Sequence, residues 1–190
     1  MKSAQQAIHM AQGQLYTNEV TDPRILQAMV DVPREMFVPD HLRGAAYVDE
    51  NIWFAPGRSL LAPLTFARLL ALSGIADSSR VLVVGALMGY AAAVAARLAH
   101  HVVAVESDER MADDARARLA RLKITNVDVQ HTTSLADGYA LSAPYDIILI
   151  CGAVARIPES LGVQLALGGK LLAIRHAVSE PLVDGLGKGV

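Results

Sequence analysis

Cysteine is nearly absent from this 190-residue chain: Cys151 stands alone, which excludes an internal disulfide framework and fits a reducing, cytoplasmic setting. No apolar run approaches the roughly 18 residues of a membrane span, and the first ten residues carry no long apolar stretch of the signal-peptide kind. Neither sign of charge is in excess. Lys plus Arg number 17 against 19 Asp plus Glu, a net charge of −2, so no global basic field draws in nucleic acid. Internal repeats and low-complexity tracts are also lacking. What is abundant is apolar: 53% of residues are hydrophobic and 19% charged, enough for a sizeable core in a single domain spanning 1–190.

Residues 1–75 read as helices and a loop. Apolar residues at Ala7, Ile8, Met10, Ala11 and Leu15 make a helical stripe, with a break expected near Gly13. Thr21-Asp-Pro-Arg24 supplies a cap and a first-turn proline for a second helix to Val30. Val32-Pro-Arg-Glu-Met-Phe-Val-Pro39 leaves room for one short helical turn between its prolines, residues 44–61 show no stable period, and a third helix runs from Pro63 to Leu72. From residue 76 to 175 strands and helices alternate. Strands are expected at 81–84, 102–105, 127–130, 145–151 and 170–174, with helices at 90–99, 109–122 and near 158–165. This order implies an α/β fold with a doubly wound, mostly parallel sheet.

The first of these strands carries the strongest signal. Val81-Leu-Val-Val84 stops at Gly85, and after three intervening residues Gly89 opens an alanine-rich helix. Gly85 allows a tight turn, Gly89 allows the helix start to lie close to a strand or ligand, and the helix N-terminus presents unpaired N–H groups. Glu106 ends the second strand, 21 residues after Gly85. That placement suits an acceptor for a ribose diol.

Four segments in order, Val32 to Pro39, Gly57-Arg-Ser-Leu-Leu-Ala-Pro63, the glycine motif through Glu106, and Ala143 to Ile150 with Ile157-Pro-Glu-Ser-Leu161, resemble the protein-L-isoaspartate O-methyltransferase family. The likeness covers about residues 20–175. It implies a Rossmann-like methyltransferase fold of strand order 3-2-1-4-5 with an N-terminal helical cap. It also implies S-adenosylmethionine as cofactor, isoaspartyl or D-aspartyl sites of damaged proteins as substrate, and protein repair as the role. On that basis Gly85, Leu87, Gly89, Glu106 and Thr133 are cofactor-binding candidates and Ser59 is the catalytic one.

Departures from the family pattern fall on these positions. Leu61 stands where the family has a serine, Leu87 where it has the middle glycine, and Thr132-Thr-Ser134 where it has Gly-Asp-Gly, with Asp137-Gly138 nearby as an alternative equivalent. The C-terminus, 176–190, is expected to be shortened, without the family's hairpin, leaving a sheet edge through which a homodimer would form. Together the changes imply a loss of ~3 kcal/mol in cofactor affinity, on the order of 100-fold. The alternative is a non-catalytic relative serving as a binding module; a nicotinamide enzyme shares the glycine and Glu106 logic but nothing downstream. His100 and His101 are adjacent, project to opposite faces of a strand and have no third ligand, so no metal is expected. Cys151 reads as core, and Arg110, Arg116, Arg118 and Arg121 as a solvated helix face.

Overall fold

The computed structural model describes residues 2–175. The expectation of a shortened C-terminus falls on 176–190 and lies outside the described residues. Helix α1 (Lys2–Met10) widens into a π-helical turn over Ala11–Leu15, which contains Gly13, rather than ending there. Helix α2 (Pro23–Asp31) begins where expected: the Asp22 carboxylate accepts from the Arg24 N–H at 2.9 Å. A 3₁₀ turn, Arg34–Phe37, fills the space between the two prolines.

The stretch 44–61, which showed no period in the sequence, contains an antiparallel hairpin of β1 (Ile52–Ala55) and β2 (Arg58–Leu60). Strands of four and three residues are too short to display alternation. The same segment caps the next helix, α3 (Pro63–Ser73), from outside. Asn51 accepts from the Ala62 N–H at 2.8 Å and Asp49 from the Leu64 N–H at 2.9 Å.

The remaining elements are β3 (Arg80–Val84), α4 (Tyr90–Ala96), β4 (His101–Glu106), α5 (Glu109–Arg121), β5 (Val127–His131), β6 (Tyr145–Val154), α6 (Glu159–Gly162) and β7 (Leu165–Arg175). The five strands β3 to β7 form one parallel sheet in the order β5-β4-β3-β6-β7, which is 3-2-1-4-5 counted along the core. Strand alternation divides the interior. Val81, Val83, Val102, Ala104, Ile147 and Leu149 face the N-terminal helices, α4 and α5, whereas Leu82, Val84, Val103, Val105, Ile148 and Ile150 face the other side with Tyr145 and Leu161. The expected solvated face of α5 needs correction in part: Arg116 donates to the Val129 carbonyl (2.9 Å) and Arg118 to the Met36 carbonyl (2.7 Å), tying the helix to β5 and to the proline turn. No described helix is long and apolar enough to cross a membrane.

Candidate active site

In an open parallel sheet, neighbouring strands whose connections run in opposite directions leave a crevice at their C-terminal ends. Here that point lies between β3 and β6, and a cleft of about 600 Å³ opens there. Its floor is the end of β3 with Gly85 and Leu87 and the end of β6 from Ile150 to Val154. The hairpin contributes Trp53, Arg58 and Ser59, followed by Leu61; Leu135, Ala136 and Pro158 complete an otherwise apolar wall. The volume and lining suit a ligand of nucleoside size with few polar anchors.

The turn after β3 is built by backbone geometry. The N–H groups of Gly85 and Ala86 both donate to the Val105 carbonyl at 3.0 Å, with Gly85 at φ +80°. Leu87, at the position where the family has a glycine, takes the left-handed φ of +51°, and its N–H donates to Glu106 Oε2 at 2.6 Å. Gly89, at φ +96°, serves packing: a Cβ there would lie 3.0 Å from the Ala115 Cβ, so α4 and α5 approach closely at this point.

Glu106 is fully buried. Its Oε1 accepts from the Ser107 N–H (2.8 Å), the Asp108 N–H (3.0 Å) and Arg58 Nη2, while Oε2 takes the Leu87 N–H. The carboxylate therefore joins the end of β4, the glycine turn and the hairpin. Of the residues expected from sequence, Gly85, Leu87 and Ser59 line the cleft together; Glu106 lies beneath its surface, Gly89 faces α5, and Thr133 is exposed outside the lining. Asp137 is also exposed and outside it.

Leu61 and Leu87 are buried and line one remnant pocket of about 10 Å³ with Phe66, Tyr90 and Cys151. The two departures from the family pattern thus share a packed apolar corner. Above it sits Arg34, wholly buried, donating to the carbonyls of Ala46 (2.7 Å) and Leu61 (2.6 Å), with its guanidinium 4.7 Å from the Tyr90 ring centroid. Burial lowers the Arg34 pKa and raises that of Tyr90. Cys151, read from sequence as core, is half-buried at the cleft floor, and desolvation pushes its thiol up to about 12.

Sequence reasoning passed over Arg58, Trp53 and the capping pair Asp49 and Asn51. Arg58 was visible as the single cation beside Ser59. Nothing local could show its partner, which lies 48 residues away.

The fold and the cleft at the strand-order reversal define a Rossmann-like α/β protein. The profile of the family described as protein-L-isoaspartate(D-aspartate) O-methyltransferase matches residues 6–179. A Rhodopseudomonas palustris protein named protein-L-isoaspartate O-methyltransferase is 39% identical over 163 residues, 86% of this chain and 74% of that protein. A solved structure titled protein-L-isoaspartate O-methyltransferase superposes with a TM-score of 0.75 at 24% identity, over 90% of this chain and 55% of that one. A Plasmodium falciparum structure, titled as a putative member in complex with S-adenosyl-L-homocysteine, gives 0.73 at 20% identity over 90% of this chain and 85% of its own. The chain belongs to the protein-L-isoaspartate(D-aspartate) O-methyltransferase family.

Proposed function

We propose that this protein transfers a methyl group from S-adenosylmethionine to the carboxylate of L-isoaspartyl or D-aspartyl residues in damaged proteins. The observation that carries the reading is the juxtaposition, in one cleft, of the glycine turn at the sheet's switch point and the hairpin bearing Ser59. Chemistry makes few demands on such a site. A carboxyl group of ordinary pKa about 4 is already ionised at neutral pH, so no general base is needed. The cofactor, when bound, supplies an electrophilic methyl on a sulfonium. The chain supplies alignment and a water-poor wall.

In this reading the Gly85 and Leu87 turn supports the cofactor, Gly89 sets the approach of α4 behind it, and Glu106 accepts from the ribose hydroxyls. Thr133, two residues before the lining residue Leu135, is assigned to the adenine edge. Ser59 donates to the substrate carboxylate. Calorimetric titration with S-adenosylmethionine tests the assignment. Saturable binding is expected, with at least tenfold weakening in Glu106→Ala, about the contribution of one charge-assisted hydrogen bond. Unchanged affinity in that variant contradicts the ribose placement.

The finer points rest on the same reading: one domain, a cytoplasmic location matched to the lone Cys151, no nucleic-acid partner, and a homodimer. For the last, β7 ends the sheet order and, among the described residues, pairs only with β6. Among the described residues its outer edge has no strand partner, and such an edge can pair with a second copy. Light scattering at micromolar concentration is expected to give twice the chain mass of 20.2 kDa. A monomer would remove this proposal and leave the catalytic one.

A further inference from the structure

The Glu106 carboxylate has about four acceptor positions. Oε1 is filled by the Ser107 and Asp108 N–H groups and Arg58 Nη2, whereas Oε2 holds only the Leu87 N–H and keeps one position open, with no part of the residue exposed. The backbone donors are fixed by the turn and by the start of α5. A ribose diol needs two acceptor positions side by side; Oε2 already offers one, and the partner that can leave Oε1 to free the second is Arg58. Its side chain is 24% exposed, lines the cleft, and carries a second, long contact from Nη1 to Ser107 Oγ at 3.3 Å. It also sits next to Ser59 on β2, on the wall where a substrate carboxylate would be aimed, and two residues beyond Ser59 the family's serine is replaced by Leu61.

We propose that Arg58 is a positioning residue with two stations: it latches the hairpin to Glu106 in the ligand-free protein, and cofactor binding releases it to pair with the substrate carboxylate. This rests on the function proposed above and adds an order of binding, cofactor before peptide. In the exchange the guanidinium leaves one carboxylate for another, and the ribose hydroxyls, neutral donors, take over its hydrogen bond on Glu106. A guanidinium pairs with a carboxylate through two parallel N–H donors, which restores, with added charge, the donor that Leu61 lacks.

The latch competes with cofactor and the second station serves substrate, so removing Arg58 moves two ligands in opposite directions. In Arg58→Gln, calorimetry with S-adenosylhomocysteine is expected to show about tenfold tighter binding, since the competent state is no longer held back. The KM for an isoaspartyl peptide is expected to rise about tenfold with kcat changed far less. Arg58→Lys, keeping the charge, should stay near wild type in cofactor affinity. In the unmodified protein, S-adenosylhomocysteine should speed hydrogen exchange of the amides of 52–60, a readout that needs no variant. Weaker or unchanged S-adenosylhomocysteine binding in Arg58→Gln, or slower exchange of the hairpin on adding it, overturns the latch. An unmodified protein that binds S-adenosylhomocysteine but methylates no isoaspartyl peptide removes the proposed function instead, and the binding and exchange measurements still decide the latch.

Discussion

Leu87 shows how much a single position holds in tension. Its left-handed backbone costs ~1–2 kcal/mol relative to glycine, yet its side chain is 4% exposed and fills the corner shared with Leu61. Removing a buried leucine costs about 2–5 kcal/mol, which exceeds the strain relieved. Leu87→Gly is therefore expected to lower stability by about 1–3 kcal/mol in denaturant unfolding while opening the cleft floor. Because the two leucines line the same pocket, Leu61→Ser combined with it should depart from additivity by more than about 0.5 kcal/mol. Cys151 makes a second residue-level prediction. Burial raises its thiol from 9.0 to about 12, so the folded state keeps a proton that the unfolded chain gives up. Its contribution to stability is complete below pH 9 and is lost as pH rises toward about 12. Iodoacetamide at pH 8 should label the folded protein far more slowly than the urea-unfolded one; equal rates would contradict the burial. The glycine spacing and Glu106 were legible in sequence because they obey local rules. The occupancy of Glu106 by Arg58 was not, since a contact across 48 residues leaves no periodic trace.

At the scale of elements, the parallel strands announced themselves as short apolar runs, and their order followed from the family likeness. β7 was expected at 170–174 but pairs from Leu165, its early part passing through Gly168 at φ +78°, a break that hides a strand from composition alone. The β1–β2 hairpin escaped notice for a related reason, its strands being too brief to alternate. That hairpin carries Arg58 and Ser59, so the least legible element bears much of the candidate site. The α4–α5 contact offers a sharp test of packing. In Gly89→Ala the new methyl meets Ala115 at 3.0 Å and the backbone stays at φ +96°, and a loss of about 2–3 kcal/mol is expected by chemical denaturation. A neutral result would mean that the two helices separate without penalty. Asp22, whose carboxyl is held below its ordinary value chiefly by the Arg24 side chain, caps α2; Asp22→Ala should cost about 1 kcal/mol by the same measurement.

Across the whole molecule, one sheet positions the cleft and the N-terminal segment supplies its outer wall. Arg34 links the two: it binds the Leu61 carbonyl on the wall and stacks on Tyr90, the first residue of α4. Occupation of the cleft should therefore be felt at the wall. The protein's sole tryptophan, Trp53, is 61% exposed and lines the cleft, so its emission is expected to shift when S-adenosylmethionine or an isoaspartyl peptide enters. An unchanged spectrum at saturating concentrations of both would place the ligands elsewhere. The most direct test of the central claim is transfer of a labelled methyl group from S-adenosylmethionine to a peptide containing one isoaspartyl residue, compared with the same peptide containing ordinary aspartate. The account predicts base-labile methyl ester on the isoaspartyl peptide alone; no ester on either, or equal ester on both, would contradict it.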